Sequence, residues 1–261
     1  MHDTAMMLGK MFFDQYVQKS GLHIVDIGAQ DVNGSLRSVS SAQNKYTGVD
    51  FVKGKGVDIV ITDPYTLPFE DNSIDVIVCS SCFEHAEFFW LMFTEILRAL
   101  KPSGILYLNV PANGVFHRFP VDCWRFYPDS GKALENWGKR NQYPCVLLES
   151  FTGTPITDIW NDFVAVFLKD QAFIPNYPNR IQAIYQDYIY GITYENPSFT
   201  NYKEAQYETV DLESKLRNVS RELEQKRIAI EEIYNSSSWR MTAPIRKIRN
   251  LLKINRVGEA I

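Results

Sequence analysis

Short apolar runs recur through the first two thirds of the chain, and most of them end in an acidic or small polar residue. The run that begins at His23 continues through apolar positions to Asp26 and Gly28, and the next run ends at Asp50. Runs of this length, separated by segments long enough for a helix or a crossing loop, predict the strands of a parallel sheet. These strands are expected near 23–30, 46–50, 57–60, 74–80 and 105–110.

Further periodic segments complete the expected α/β fold. Apolar residues at helical spacing predict a first helix over 4–19 and a later helix over 128–140. Runs at 145–149 and 162–168 alternate or are continuously apolar, and they predict two antiparallel strands that close the sheet. The fold class is therefore α/β, a Rossmann-like, doubly wound sheet of seven strands.

The polar residues at the strand ends indicate a ligand that contains a ribose. In open α/β sheets ligands bind at the carboxyl edge, and an acid about 20 residues after the glycine turn accepts the ribose hydroxyls. Asp50 stands at that spacing from Gly28. A pyrophosphate needs three glycines in close order, whereas Gln30 and Val32 stand where further glycines would fall. A dinucleotide is therefore a poor fit.

A longer series of motifs resembles the class I S-adenosylmethionine-dependent methyltransferases. It includes the turn at Asp26-Ile27-Gly28, the segments Asp63-Pro64-Tyr65-Thr66-Leu67-Pro68-Phe69 and Glu84-His85, and the helix end and strand start over 95–105. The resemblance covers roughly residues 22 to 170, about one domain. It implies S-adenosylmethionine as the cofactor, with the acid after the second strand at the ribose and the acid after the third near the adenine. The cofactor-binding residues that it implies are Asp26, Gly28, Ala29, Gln30, Asp50, Phe51, Asp63, Pro64, Leu67 and Ser80.

The segment after the fifth strand, residues 111–127, has the composition of an acceptor site. We interpret His117 as the general base, because a histidine takes up a proton near neutral pH, and Asp122 as its orienter or as an alternative base. His85 is the second candidate for the base, and a structural role for His117 within the loop stays open. The arginines suit a phosphate or carboxylate, or tie the loop to its acids, and the aromatics suit a sugar face. The predicted acceptor-binding residues are Arg118, Trp124, Arg125 and Tyr127.

The spacing of the ligand-type residues indicates neither a metal centre nor a redox pair. Cys79 and Cys82 form a C-x-x-C at the end of a predicted buried strand, with no second pair, which favours core or pocket packing. The acids are scattered and the chain has four histidines, so we expect metal-independent transfer. No apolar run reaches the ~18 residues of a membrane span. Four cysteines without an export signal indicate a cytoplasmic protein.

A heptad pattern follows the α/β region. From Tyr202 to Ile233, residues spaced alternately by three and four form a seam that is apolar except at Thr209 and Lys226. Such a seam predicts a coiled coil and, because a long helix has no large core of its own to pack against, a homo-oligomer. A helix that folds back onto its own domain is the alternative.

The last segment is basic. From Trp239 to the end, six Lys or Arg stand against one acid, interleaved with apolar residues, in a chain whose net charge is −4. This pattern favours an amphipathic helix on an anionic membrane surface, with a solvated helix as the plain alternative. Nucleic acid is disfavoured, because the stretch is short and apolar on one face. The segment Ser237–Arg246 also resembles a tail of bacterial surface-polysaccharide assembly enzymes.

The expected organisation is a cofactor-binding domain over 1–170, a connector over 171–201, a coiled coil over 202–234 and a basic tail over 235–261. The predicted function is S-adenosylmethionine-dependent O-methylation of a sugar in a bacterial surface polysaccharide or its precursor. The protein is expected in the cytoplasm, with contacts to glycan-assembly enzymes or to the inner membrane face. Two alternatives remain: methylation of another small metabolite or a lipid head group, and a non-catalytic scaffold of a glycan-assembly complex.

Overall fold

The computed structural model describes residues 2–156, 159–203 and 208–246. The chain divides into two compact units, residues 1–203 and 204–261. The first unit holds the whole sheet and extends beyond residue 170, where the predicted domain ends.

The sheet combines a parallel part with an antiparallel extension. Its strand order is β3-β2-β1-β4-β5-β7-β6-β8, in which β1 to β5 run parallel and β7 lies antiparallel between β5 and β6. The strands are β1 (His23–Ile27), β2 (Lys45–Asp50), β3 (Ile59–Val60), β4 (Ile74–Ser80), β5 (Leu100–Pro111), β6 (Val146–Gly153), β7 (Asp162–Leu168) and β8 (Tyr188–Thr193). The Rossmann-like order is therefore confirmed, and the carboxyl ends of β1, β2 and β4 meet at one edge.

The sheet has eight strands, so the prediction of seven is wrong. The additional strand, β8, lies in the segment 171–201 that the sequence pattern assigns to a connector, and it pairs antiparallel with β6. Its own residues are mostly aromatic or β-branched, which favours a strand. The Tyr-, Pro- and Asn-rich residues around it hide that signal in the sequence.

Helices pack on both faces of the sheet. These helices of the first unit are α1 (Asp3–Tyr16), α2 (Phe89–Ala99) and α3 (Ser130–Arg140). The second unit contains α4 (Glu208–Asn235) and α5 (Ser237–Met241). On one face Leu8 and Phe12 of α1 are fully buried, and Phe12 stacks on Tyr107 of β5 with ring centroids 4.7 Å apart. On the other face Phe93 of α2 and Leu134 of α3 pack on the alternate strand residues. The period-2 alternation of the strands divides the core into these two layers.

The connection from β1 to β2 contains no α-helix. It carries only a four-residue 3₁₀ helix, Leu36–Val39, whose Leu36 is buried against Gly9 of α1. Helix α1, which precedes the sheet in the chain, covers the neighbouring part of this face. The turn after β1 must therefore be held by something other than a helix that follows it.

A buried carboxyl group ties the far part of the unit together. Glu149 of β6 accepts hydrogen bonds from the Tyr16 hydroxyl (2.6 Å), the Ile181 N–H (2.6 Å), and the backbone (3.1 Å) and side-chain (3.2 Å) N–H of Gln182. Burial raises the pKa of Glu149 above its ordinary value, and these donors oppose the rise. Helix α1, strand β6 and the segment before β8 are thus joined at one residue.

In the second unit the seam side chains that the structure describes are exposed. Leu216, Val219, Leu223, Ile230 and Ile233 are all more than half exposed. The Ser236 hydroxyl caps α5 by accepting a hydrogen bond from the Trp239 N–H (3.2 Å). The basic tail beyond residue 246 lies outside the described residues. None of the helices that the structure describes combines the length and apolar composition of a membrane span.

Candidate functional site

Strand β1 ends in a tight turn that lies close to the start of the 83–85 turn. Gly28 has φ +78°, a conformation that L side chains rarely adopt, and its N–H and that of Ala29 donate to the Val49 carbonyl at 3.0 and 3.2 Å. A Cβ added at Gly28 would lie 2.9 Å from the Cβ of Cys82. The glycine of the motif is therefore required both by its backbone conformation and by the chain that packs on it.

Asp50 lies at the carboxyl end of β2 and connects two loops. Its Oδ2 accepts a hydrogen bond from the Gln30 N–H (3.2 Å) and its Oδ1 from the Val52 N–H (3.0 Å). Each carboxylate oxygen has about two lone-pair sites, so each keeps one for a ligand hydroxyl. This geometry fits the ribose acceptor that the sequence predicts.

The loop after β1 is braced by the loop after β2. The Gln30 side chain packs on Gly54, where an added Cβ would lie 2.8 Å from its Nε2. The Asp31 N–H donates to the Lys55 carbonyl (2.8 Å), and the Asp31 carboxylate pairs with the Lys55 Nζ (2.7 Å). These contacts explain how a loop with a single glycine at its start keeps its shape without a following α-helix.

Asp26 is buried one residue before the end of β1. Its Oδ2 accepts a hydrogen bond from the Tyr46 hydroxyl (2.7 Å), and the guanidinium of Arg37 lies over the Tyr46 ring at 4.8 Å. Burial raises the pKa of Asp26 to about 7, although Tyr46 and Arg37 oppose the rise. A cationic ligand at this edge would favour the ionised form.

Three buried polar atoms near the same edge have no hydrogen-bond partner among the described residues. They are Ser80 Oγ, Asn109 Oδ1 and Glu84 Oε2. Ser80 ends β4 and is paired with Asn109 of β5. Buried polar atoms are nearly always satisfied in folded proteins, so such a group points to a ligand or to water. The residues present therefore fit a polar cofactor at this edge.

Other residues predicted to bind the cofactor, among them Asp63 and Leu67 in the adenine region, are spread over core and surface. The carboxylate of Asp63 accepts from the Tyr65 N–H (2.9 Å) and the Thr66 hydroxyl (2.6 Å), and these bonds lower its pKa. Leu67 is buried in the core below α2, whereas Phe51 is about half exposed directly after Asp50. Pro64 is half-buried beside Asp63. Of these residues, Phe51 offers the free apolar surface that a base would cover.

Loop 111–127 docks on the 3₁₀ turn Phe83–His85 through its backbone. The N–H groups of Cys123 and Trp124 both donate to the Glu84 carbonyl, at 2.8 and 3.2 Å. The Trp124 indole N–H donates to the Ala86 carbonyl (3.0 Å). The chain segment after β4 and the segment after β5 are thus in contact.

Asp122 and Arg125 hold this loop. Arg125 donates to both carboxylate oxygens of Asp122, at 2.6 and 2.9 Å, and to the Val115 carbonyl at 3.0 Å. The His117 backbone N–H also donates to Asp122 (2.8 Å). Hydrogen bonding from Arg125 lowers the pKa of Asp122 to about 2, which makes this carboxylate a weak base. Asp122 and Arg125 are placed to position the loop, one of the two roles considered for them.

The two histidines face each other with basic nitrogens free. His85 Nδ1 lies 2.5 Å from the Val121 carbonyl, and His117 Nδ1 lies 3.1 Å from the Val115 carbonyl. A carbonyl only accepts, so in each neutral ring the proton is on Nδ1 and the Nε2 lone pair is available. The ring centroids are 5.0 Å apart. Asp122 lies 3.4 Å from His117 Nδ1, so the Val115 carbonyl is the closer orienting group.

Glu84 belongs to one of the sequence motifs, but nothing in the sequence placed it among the site residues. It is 1% exposed, and burial raises its pKa to about 8. One donor atom of Glu84, His85 and His117 lies within 4.8 Å of the other two. The signal in the sequence was the Glu-His pair directly after a buried strand, but His117 is distant in the chain and the grouping depends on the fold.

The predicted acceptor residues differ in their freedom to bind a ligand. Arg118 is exposed, and its Nε donates to the Pro120 carbonyl (3.1 Å) while, among the described residues, its terminal nitrogens make no hydrogen bond. Trp124 is partly exposed and Tyr127 is largely exposed, whereas Arg125 is committed to Asp122. Arg118, Trp124 and Tyr127 are therefore the available members of the predicted set.

Comparison with known proteins supports the assignment of the fold. Residues 16–108 match the family model described as a methyltransferase domain. The solved structure of Burkholderia thailandensis 1,6-didemethyltoxoflavin-N1-methyltransferase, with bound 1,6-didemethyltoxoflavin and S-adenosylhomocysteine, superposes with a TM-score of 0.51 at 14% identity and covers 64% of this chain and 79% of that one. At this identity the likeness concerns the fold alone.

Two curated relatives match part of the chain. A phthiotriol/phenolphthiotriol dimycocerosates methyltransferase of Mycobacterium ulcerans is 31% identical over 99 residues, 36% of this chain and 32% of that protein. An uncharacterized methyltransferase of Mycobacterium tuberculosis is 28% identical over 119 residues, 41% of this chain and 46% of that protein. The chain thus spans less than half the length of these relatives. Together the family model and the relatives indicate a methyltransferase domain within this chain.

Proposed function

We propose that this protein is an S-adenosylmethionine-dependent methyltransferase that methylates a hydroxyl group. The observation that carries the proposal is the polar edge of the sheet. Asp50 keeps free lone pairs at the end of β2, and Ser80 of β4 and Asn109 of β5 have buried polar atoms without a partner among the described residues. This edge belongs to a sheet whose order and sequence match a methyltransferase domain. S-Adenosylmethionine supplies a methyl group on a sulfonium.

The reaction is a displacement at the methyl carbon. The S–CH₃ bond breaks and a new O–CH₃ bond forms, S-adenosylhomocysteine leaves as a neutral thioether, and the acceptor hydroxyl gives up its proton. Alignment of the two reactants supplies much of the rate, and a nearby base takes the proton. His117 is our first candidate for that base because its Nε2 carries a free lone pair, and His85 is the second. Asp122 positions the loop that carries His117.

We propose a sugar of a bacterial surface polysaccharide, or its precursor, as the acceptor. Trp124 and Tyr127 offer exposed rings on which a sugar face can stack, and Arg118 offers free N–H donors to a phosphate or carboxylate. The similarity of segment 237–246 to tails of surface-polysaccharide enzymes supports the same pathway. These features fit a phosphate-linked sugar precursor best.

A lipid head group or another small metabolite is the second candidate acceptor. Phe116 and Phe119, in the same loop, are 75% and 63% exposed, which suits an acceptor with an apolar part. The names of the curated relatives include a dimycocerosates methyltransferase. A non-catalytic scaffold is the alternative outside enzymes, and it requires that the cofactor does not bind.

The second unit serves assembly and placement in this proposal. The exposed seam of α4 is suited to a coiled coil between copies of the chain, and the basic tail to an anionic membrane at its inner face. Both would bring a cytoplasmic enzyme to glycan-assembly enzymes without any change in the cofactor site.

Calorimetric titration with S-adenosylmethionine and S-adenosylhomocysteine tests the donor half. We expect micromolar affinity for both, and absence of binding would favour the scaffold. The acceptor is then sought among nucleotide-linked sugars, lipid-linked sugars and lipid head groups by S-adenosylhomocysteine release. Release that depends on a lipid head group and on none of the sugars would replace the sugar proposal with its alternative.

A further inference from the structure

Three side chains of metal-binding type converge at the junction of the 83–85 turn and loop 111–127. One donor atom of Glu84, His85 and His117 lies within 4.8 Å of those of the other two. Two imidazoles and one carboxylate form a donor set that holds catalytic zinc ions and leaves a position open. The sequence did not predict this group, because His117 is far along the chain from Glu84 and His85 and only the fold brings the three residues together.

Both imidazoles are oriented as metal ligands usually are. A ligating histidine commonly donates its second ring N–H to a carbonyl or carboxylate, which fixes the tautomer and the direction of the ring. Here the Nδ1–H of His85 points to the Val121 carbonyl at 2.5 Å, and that of His117 to the Val115 carbonyl at 3.1 Å. The Nε2 lone pairs are therefore left for another partner.

The third donor, the carboxylate of Glu84, is buried and has an oxygen that lacks a hydrogen-bond partner among the described residues. Glu84 is 1% exposed, and its Oε2 has no hydrogen-bond partner among the residues that the structure describes. The charges that act on Glu84 come from Asp122, Asp162 and Arg125. Arg125 is engaged in a bidentate pair with Asp122, so a carboxylate at this point is short of positive charge. A bound cation would supply that charge and the missing partner.

The distances leave room for an ion. Two ligands that each lie ~2.1 Å from a tetrahedral ion are about 3.4 Å apart. The His85 Nε2 already lies 3.7 Å from Oε1 of Glu84. The oxygen without a partner among the described residues, Oε2, belongs to the same carboxylate, which can bind an ion through either oxygen or through both. The other separations in the cluster are at most 4.8 Å, and small shifts of the partly exposed loop that carries His117 can shorten them. No rearrangement of the sheet is needed.

We propose that Glu84, His85 and His117 bind a divalent transition-metal ion such as Zn²⁺, with one coordination position open to the acceptor oxygen. The use of this ion in the reaction rests on the proposed function. A hydroxyl bound to the ion would lose its proton to water more readily, and its oxygen would then attack the methyl carbon. The ion would take over the activation otherwise assigned to a histidine base.

Cobalt titration of the full-length protein, prepared without a histidine tag, tests the site. We expect one Co²⁺ per chain with visible d–d absorption, displaced by Zn²⁺. The substitutions Glu84→Gln, His85→Gln and His117→Gln should each weaken Co²⁺ binding at least tenfold. His23→Gln is the matched control, because His23 lies in β1 and its Nε2 bonds to the Thr47 hydroxyl, so wild-type affinity is expected.

Circular dichroism and S-adenosylhomocysteine calorimetry show whether each variant is folded. Folded cluster variants that keep the wild-type Co²⁺ affinity would overturn the site, and so would a wild-type protein that binds no Co²⁺ while it binds S-adenosylhomocysteine. In the second case the methyltransferase proposal stands and only the metal is lost. Failure of the proposed function has a separate signature, which is absence of S-adenosylhomocysteine binding.

Discussion

Gly28 and Cys82 approach so closely that the first residue has no room for a side chain. An added Cβ would lie 2.9 Å from the Cys82 Cβ and 3.1 Å from its Sγ, at a φ of +78°. This contact joins the turn after β1, which carries the predicted cofactor-binding residue Gly28, to the chain after β4. The turn and its neighbour therefore form one packed unit.

We expect Gly28→Ala to weaken S-adenosylhomocysteine binding at least tenfold by calorimetry. The left-handed conformation alone costs an L residue roughly 1–2 kcal/mol, and the contact with Cys82 adds to it. Gly21→Ala is the matched control, because Gly21 has φ +76° and nothing within 4 Å of an added Cβ. Equal affinity in the two variants would show that the packing on Cys82 does not shape the cofactor site.

Replacement of Asp50 by Ala should remove cofactor binding. The substitution deletes the predicted ribose acceptor and leaves the Gln30 and Val52 N–H groups without their partner, each a loss of about 1–3 kcal/mol. Asp75→Ala is a suitable control, because Asp75 also accepts a backbone N–H but lies near the amino end of β4. Unchanged calorimetric affinity in Asp50→Ala would refute the ribose assignment.

Asp26 should make the stability of the cofactor-free protein depend on pH. Its pKa is raised from 3.8 to about 7 by burial, so between these values the folded state binds a proton that the unfolded state has lost. Stability therefore falls as pH rises from about 4 to about 7, by an amount of the order of 4 kcal/mol. Above pH 7 this contribution stays constant.

The variant Asp26→Asn isolates this effect. An amide resembles the protonated acid and still accepts from the Tyr46 hydroxyl, so the variant should match the wild type near pH 4 and be more stable at pH 8. Urea unfolding at a series of pH values measures the difference. Parallel stability profiles would mean that Asp26 is ionised in the folded protein throughout this range.

If the seam of α4 forms a coiled coil, one charged substitution on it should change the oligomeric state of the protein. Leu223 is 68% exposed on the seam, and a charge there would oppose burial between helices. Sedimentation velocity should show that Leu223→Asp converts the oligomer to monomer, whereas Ile228→Asp, an exposed apolar position off the seam, keeps the oligomer. A wild-type monomer would contradict the coiled-coil interpretation directly.

The basic tail predicts binding to anionic vesicles. Each Lys or Arg near such a surface contributes about 1 kcal/mol, which salt reduces. Deletion of residues 239–261 should abolish flotation with vesicles that contain phosphatidylglycerol and leave S-adenosylhomocysteine affinity unchanged. Vesicles of phosphatidylcholine alone serve as the control. Flotation that survives the deletion would remove the membrane interpretation of the tail.

Much of the cofactor edge could be predicted from local sequence. Apolar runs that end at Asp50 and Ser80 coincide with the ends of β2 and β4, because buried parallel strands leave a continuous apolar signal. The strand β7, at 162–168, was also predicted to the residue, because all of its residues are buried and all but Asp162 are apolar, although it runs antiparallel to its neighbours. Asp26 and Gly28 likewise occupy the positions that the motif implied.

The remaining features depend on contacts between distant segments. The strand β8 is stabilised by its pairing with β6, which its Tyr- and Asn-rich surroundings do not reveal. In this fold class an α-helix usually follows β1. Here the packing of the Gln30 side chain on Gly54 supports the loop after β1 instead. The approach of His117 to Glu84 follows from how loop 111–127 docks, and no spacing along the chain encodes it.

The hydrogen bonds to Glu149 limit how far the first unit can be shortened from its C-terminal end and still fold by itself. A chain that stopped at residue 170, where the family resemblance ends, would lose the donors at Ile181 and Gln182 and expose the edge of β6. Of the donors to Glu149 described above, the Tyr16 hydroxyl would remain, and each donor lost from a buried group costs about 1–3 kcal/mol. A bare strand edge also invites pairing with other chains. The segment that resembles the family is thus shorter than the segment that must be kept together for this unit to fold.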